Sequence, residues 1–100
     1  MSEKELTWEE VKASLKFTPE EEEEIKMEED IIKATIEARK KNNLTQQQLS
    51  KLTGIKQPVI ARIEKHTNSP RIDTLFKLLY PMGYTIRIVP LEQVRNKKED

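Results

Sequence analysis

One hundred residues suffice for one domain with a single core and not for two. With 35% hydrophobic and 36% charged residues the core must be lean, which a helical domain tolerates because each helix buries one stripe; the lack of cysteine excludes disulfides and thiolate zinc sites, and a lone His66 excludes a histidine metal cluster. The net charge of zero hides a division: residues 1–31 carry four Lys and twelve Asp or Glu, net −8, and residues 32–100 carry fourteen Lys or Arg and six acids, net +8.

Residues 1–5 are a polar start, expected to fray. Thr7 with Glu10 forms a capping box that opens a short helix to about Lys16, in which Val11 and Leu15 share a face. Thr18, Pro19 and Glu21 give a second, stronger start signal: a cap, a proline suited to the first helical position and a box-closing acid. The acids at 20–24 sit at the positive end of the helix dipole, and Lys40 and Lys41 suit the negative end. The helix is predicted to reach about Lys41 with Ile25, Ile32 and Ile36 on one face, Ile31, Ala34 and Ala38 widening it, and a break near 24–27 left open because five consecutive Glu repel one another. Asn42 and Asn43 end it.

Thr45 with Gln48 is a third capping box, opening a short helix from Gln46 to about Leu52. Gly54 supplies a left-handed residue after it. The next helix runs from about Gln57 to Lys65, its start set by Pro58, which fits only a first turn. A loop covers 66–70. Ile72, Leu75, Phe76, Leu78 and Leu79 then mark a helix that stops before Pro81 and Gly83. Residues 84–89 (Tyr84, Thr85, Ile86, Arg87, Ile88 and Val89) read as the one strand, between Gly83 and Pro90. A single strand cannot satisfy its own backbone groups, so pairing with its copy in a homodimer is expected. Residues 91–100 read as a polar tail. No apolar run approaches the ~20 residues that span a bilayer, and the acidic start lacks a signal-peptide pattern, so no membrane contact and a cytoplasmic location are expected.

Two short helices around a tight turn at Gly54 and Ile55 make a helix-turn-helix over residues 45–65. Leu49, Leu52, Ile55, Ile60 and Ile63 are placed inward. Gln46, Gln47, Lys56, Gln57, Val59, Arg62 and Lys65 are placed outward. Amides match adenine, arginine matches guanine, and valine can rest against a thymine methyl. Thr45 opens the first motif helix, and Lys65, Asn68 and Arg71 are candidate phosphate contacts, equally readable as solvated side chains. The partner so implied is double-stranded operator DNA, bound with half-sites about one helical turn apart.

The stretches Leu44-Thr45-Gln46-Gln47-Gln48-Leu49, Thr53-Gly54-Ile55 and Ile60-Ala61-Arg62-Ile63-Glu64, followed by Ser69-Pro70-Arg71-Ile72-Asp73-Thr74-Leu75, resemble the XRE/Cro-CI-type helix-turn-helix over about residues 30–83. The resemblance implies an all-α, lambda-repressor-like bundle. It gives Gln46 a phosphate contact and a bracing role toward the second helix, and puts Lys56, Gln57, Val59 and Arg62 at base-reading or backbone positions. Arg39 and Glu64 resemble the family's ion pair between its first helix and its recognition helix. Lys56 departs from the pattern, standing where the family commonly has a capping Ser or Thr.

The acidic extension over residues 1–29, the domain over 30–83 and the segment over 84–90 together resemble HigA-like antitoxins. That resemblance implies a dimer repressing its own operon and neutralising a basic ribonuclease toxin from the same operon. Leu6, Trp8, Val11, Leu15, Phe17, Glu21, Glu24 and Ile25 are the candidate toxin-binding residues: apolar anchors among acids suit a basic RNA-binding surface. Trp8 and Phe17 can equally pack on the chain's own long helix. A repressor without a toxin partner is the alternative. No cofactor, metal or catalytic role is indicated: the Glu run fits a helix start, and no Gly-rich loop accompanies it.

Overall fold

Three threonines open three of the helices in the same way. In the computed structural model, which describes residues 6–67 and 69–96 with backbone alone at 95 and 96, the side chains of Thr7, Thr18 and Thr45 accept from the amides of Glu10, Glu21 and Gln48. Glu10, Glu21 and Gln48 each reach back to the threonine's own amide at 2.8–3.0 Å, completing the boxes. Helix α1 spans Trp8–Ser14, α2 Pro19–Lys41 and α3 Gln46–Thr53. They are followed by α4 at Gln57–Glu64, α5 at Ile72–Leu79 and α6 at Leu91–Asn96. The expected start at 1–5 and the tail at 97–100 lie outside the described residues.

Helix α2 is continuous over 23 residues, a rod of roughly 34 Å. The acids of its first turn lie where the exposed N–H groups of the helix start favour negative charge, and no break follows. Only its C-terminal half is sealed: Ile32, Thr35 and Ala38 are buried, and the Thr35 hydroxyl donates to the Ile31 carbonyl at 2.8 Å. The helix ends at Lys41; beyond the Asn42 cap, Asn43 takes φ 57° and lets the amides of Asn43 and Leu44 close on the carbonyls of Lys40 and Arg39.

The core forms where α2, α3, α4 and α5 meet. Ile32 and Ala38, Leu49, Ile60 and Ile63, Leu78 and Leu79, and Met82 make one buried cluster, with Ile36, Leu44, Ile55 and Val59 packed against it. Leu49 and Leu78 are wholly inaccessible. Leu52, expected inside, is 51% exposed. It lies three residues beyond Leu49, at the edge of a stripe that an eight-residue helix keeps narrow. Helix α5 ends as expected, through a 3₁₀ turn at Tyr80–Met82 and then Gly83 at φ 90°.

The expected strand is not formed. Residues 84–90 have no regular secondary structure, and no strand occurs among the described residues. A β-branched run becomes a strand only when a ladder partner takes its backbone groups, and the described residues supply none. The amide of Tyr84 instead closes the preceding turn on the Leu79 carbonyl at 3.0 Å. The tail differs as well: residues 91–96 form α6, with Pro90 accepting from the amides of Gln93 and Val94.

Candidate nucleic-acid interface

The turn between α3 and α4 depends on backbone conformation rather than on space. Gly54 takes φ 79°, while a Cβ there would meet nothing within 4 Å. Its amide donates to Ser50, and the Thr53 hydroxyl bonds the Leu49 carbonyl and receives the Ile55 amide. Leu49 from α3 and Ile60 and Ile63 from α4 meet beneath. This buried contact sets the angle at which α4 is presented.

Helix α4 begins without a side-chain cap. The Lys56 carbonyl accepts from Val59 and Ile60 at 2.9 and 3.2 Å. Pro58 in the first turn has no N–H, which leaves one donor fewer to satisfy. A positive helix end beside an exposed lysine ammonium suits phosphate, and this is the physical outcome of having Lys56 where a hydroxyl would cap.

A continuous polar chain locks the two motif helices to α2. Arg39 donates through Nε and Nη2 to both oxygens of Glu64, at 2.7 and 2.9 Å, and through Nη1 to the Leu44 carbonyl at 2.9 Å. The side chains are only 13% and 8% exposed, so this is a forked, largely enclosed pair rather than a weak surface one. Glu64 holds the Arg39 guanidinium above its usual range, chiefly through the hydrogen bond. Glu64 also accepts from Gln46 Nε2 at 2.9 Å, and Gln46 Oε1 accepts from Gln57 Nε2 at 2.7 Å.

Around this chain Gln47, Lys56, Arg62 and Lys65 are exposed, and Gln46 and Gln57 are half-buried. Val59, expected outward, is half-buried against the core. Thr45 is engaged as the α3 cap. Arg71 pairs with Asp73 at 3.1 Å on an open surface. Asn68 lies outside the described residues.

A second polar cluster, at the other end of α4, had no signal in the sequence beyond the aromatic Trp8 and the lone histidine. His66 follows α4 in a left-handed conformation, φ 58°, and the amides of His66 and Thr67 close on Ile63 and Arg62. Its ring lies against Trp8, centroids 4.8 Å apart, and its Nε2 is 3.0 Å from Glu28. Ser69 donates to the other Glu28 oxygen at 2.7 Å. The Trp8 indole N–H donates to Glu29 at 2.7 Å, and Lys12 pairs with the same carboxylate. Hydrogen bonds from Ser69 and then His66 lower the Glu28 carboxyl below its usual range, and those from Lys12 and Trp8 do so for Glu29.

Trp8 is therefore half-buried on its own chain. Among the other candidate toxin-binding residues, Val11, Phe17 and Ile25 are half-buried and Leu6 and Leu15 are exposed. Glu21 closes the α2 capping box, and Glu24 is exposed.

A helix-turn-helix family model matches residues 36–88, more than half of the chain. The chain belongs to the XRE-type helix-turn-helix family. An uncharacterised HTH-type transcriptional regulator of Haemophilus influenzae is 46% identical over 80 residues, covering 80% of this chain and 81% of its own. A solved structure described as a toxin–antitoxin module from Streptococcus pneumoniae aligns with TM-score 0.64 and 40% identity, over 87% of this chain and 96% of that one. This XRE-type protein is thus a transcriptional regulator, of a DNA-binding family rather than an enzyme class. Among the described residues no helix is long and apolar enough to cross a membrane, and no group of three or more His, Cys, Asp or Glu could hold a metal.

Proposed function

We propose that this protein is an antitoxin that represses its own operon as a DNA-bound dimer and neutralises a basic ribonuclease toxin encoded beside it. The observation that carries the reading is the likeness, at 40% identity and nearly full length, to a chain of a toxin–antitoxin module. The charge division fits it. Residues 32–100, of net +8, suit DNA, and residues 1–31, of net −8, suit a basic protein.

Base reading falls to Gln57 and Arg62, with Val59 beside them. Thr45, Gln46, Gln47, Lys56, Lys65, Asn68 and Arg71 are assigned to the phosphate backbone and its positioning. Toxin contact falls to the region over 1–29: the exposed Leu6, Leu15, Glu21 and Glu24, with the half-buried Trp8, Val11, Phe17 and Ile25. The arm rests against His66, just beyond the C-terminal end of α4, whereas Gln57 opens that helix at its other end.

The dimer is assigned to an apolar patch: Ile72 and Phe76 on α5 and Tyr80 in the 3₁₀ turn that follows lie four apart and are 78, 47 and 67% exposed, and Ile88 beyond them is 99% exposed.

The test is co-expression with the adjacent gene's product. Growth rescued by the full chain and lost when residues 1–17 are removed supports the proposal, provided operator binding survives the deletion. Rescue by the shortened chain would remove the arm from the toxin-binding role.

A further inference from the structure

We infer that Glu64 sets the sense in which the Gln57 amide faces DNA, acting through Gln46 as a specificity-determining residue that itself touches no base. The inference rests on the proposal that Gln57 reads a base. An amide side chain carries a donor at one corner and an acceptor at the other, and in isolation either order is open to it. A carboxylate is different, because an ionised one only accepts.

Glu64 already takes Arg39 Nε and Nη2, so its charged form is matched by a guanidinium. Gln46 can meet Glu64 only with its nitrogen, and it does so at 2.9 Å. That turns Gln46 Oε1 toward Gln57, where only a donor is welcome, and Gln57 Nε2 fills the position at 2.7 Å. The Gln57 oxygen is thereby turned away from Gln46. The order of donor and acceptor at residue 57 is fixed by an acid seven residues, two helical turns, further along the same face of α4.

Adenine offers N6–H and N7, a donor beside an acceptor, and a glutamine held in one sense accepts only one placement of that edge. A glutamine free to turn over accepts other edges too. Glu64 thus supplies selectivity at one base position.

The experiment selects duplexes from a randomised library and reads base preference at each position for five proteins. The wild-type chain should prefer adenine at one position of each half-site. Glu64→Gln, whose amide can offer either corner to Gln46, should lose roughly tenfold of that preference while the other positions keep theirs. Gln46→Leu, which leaves the Arg39–Glu64 pair in place, should lose the same preference and covers the case in which Glu64→Gln folds poorly. Arg39→Lys loosens the fork but keeps an acceptor-only carboxylate at 64. It should lower thermal stability and leave the preference intact. Retained preference in both Glu64→Gln and Gln46→Leu overturns the inference, as does an equal loss in Arg39→Lys, which would mark a merely structural effect. Gln57→Ala separates the two levels: if it changes no base preference, it is the reading by Gln57 that fails.

Discussion

Trp8 lays its indole against the His66 imidazole, with ring centroids 4.8 Å apart, and so joins the first helix of the chain to the residue that closes the recognition helix. The two are 58 positions apart in sequence. Because Trp8 is the only tryptophan, its emission reports whether the arm is docked. Trp8→Ala should destabilise the fold by about 1–2 kcal/mol in urea melts, less than a fully buried aromatic would, since the ring is only half-buried. Operator affinity should stay within about threefold, because the contact lies away from Gln57.

The docked arm should also respond to acid. Glu28 and Glu29 both have carboxyls lowered from the ordinary 4.5. Groups of this kind contribute stability above their unfolded value and lose that contribution as pH falls through the folded one. The loss therefore begins below about pH 4.5 and is complete beneath the lowered values. Trp8 emission followed from pH 6 downward should show a transition in that range. Glu29→Gln, which removes the titrating charge that meets both Lys12 and Trp8, should reduce it. A transition of unchanged size in Glu29→Gln would place the acid response elsewhere.

His66 combines two duties that usually fall to different residues. Its backbone takes the left-handed position at which helices commonly use glycine, and its ring holds the arm. His66→Gly relieves the backbone and His66→Ala does not. Both should release Trp8, but the glycine variant should be the more stable by about 1 kcal/mol in thermal or urea unfolding. Equal stabilities would mean that the φ of 58° carries no cost here.

In the core, Leu78→Ala should cost about 2–5 kcal/mol, because the side chain is wholly inaccessible. Leu52→Ala, at 51% exposure, should cost well under half as much. Urea melts of the two variants check the ranking.

On the DNA side, Arg62→Ala should weaken specific binding by about 1–3 kcal/mol and relax preference at one base position. Lys56→Ala should weaken binding to all duplexes alike and reduce the slope of log affinity against log salt by about 1, as expected of a phosphate contact. Titrations at several salt concentrations distinguish the two. A Lys56→Ala variant with an unchanged slope would leave the uncapped start of α4 without its ion.

Much of this was legible in the sequence, because it was local. A threonine and an acid or amide three residues on suffice to start a helix, and Thr7, Thr18 and Thr45 each did so. Asn43, Gly54 and Gly83 ended elements for an equally local reason, the left-handed backbone they admit. The helix-turn-helix followed from those signals and the apolar residues between them. What lay beyond was the fate of groups whose partners are distant. Glu64 meets Gln46 and Arg39 across 18 and 25 positions, and His66 meets Glu28 across 38. Residues 84–89 carry strand composition, yet composition cannot supply the ladder that makes a strand. Hydrogen bonds and caps within one turn of helix are written in the sequence. Which amide points where, and which ring covers which histidine, depends on how the helices pack, and only the tertiary structure decided it.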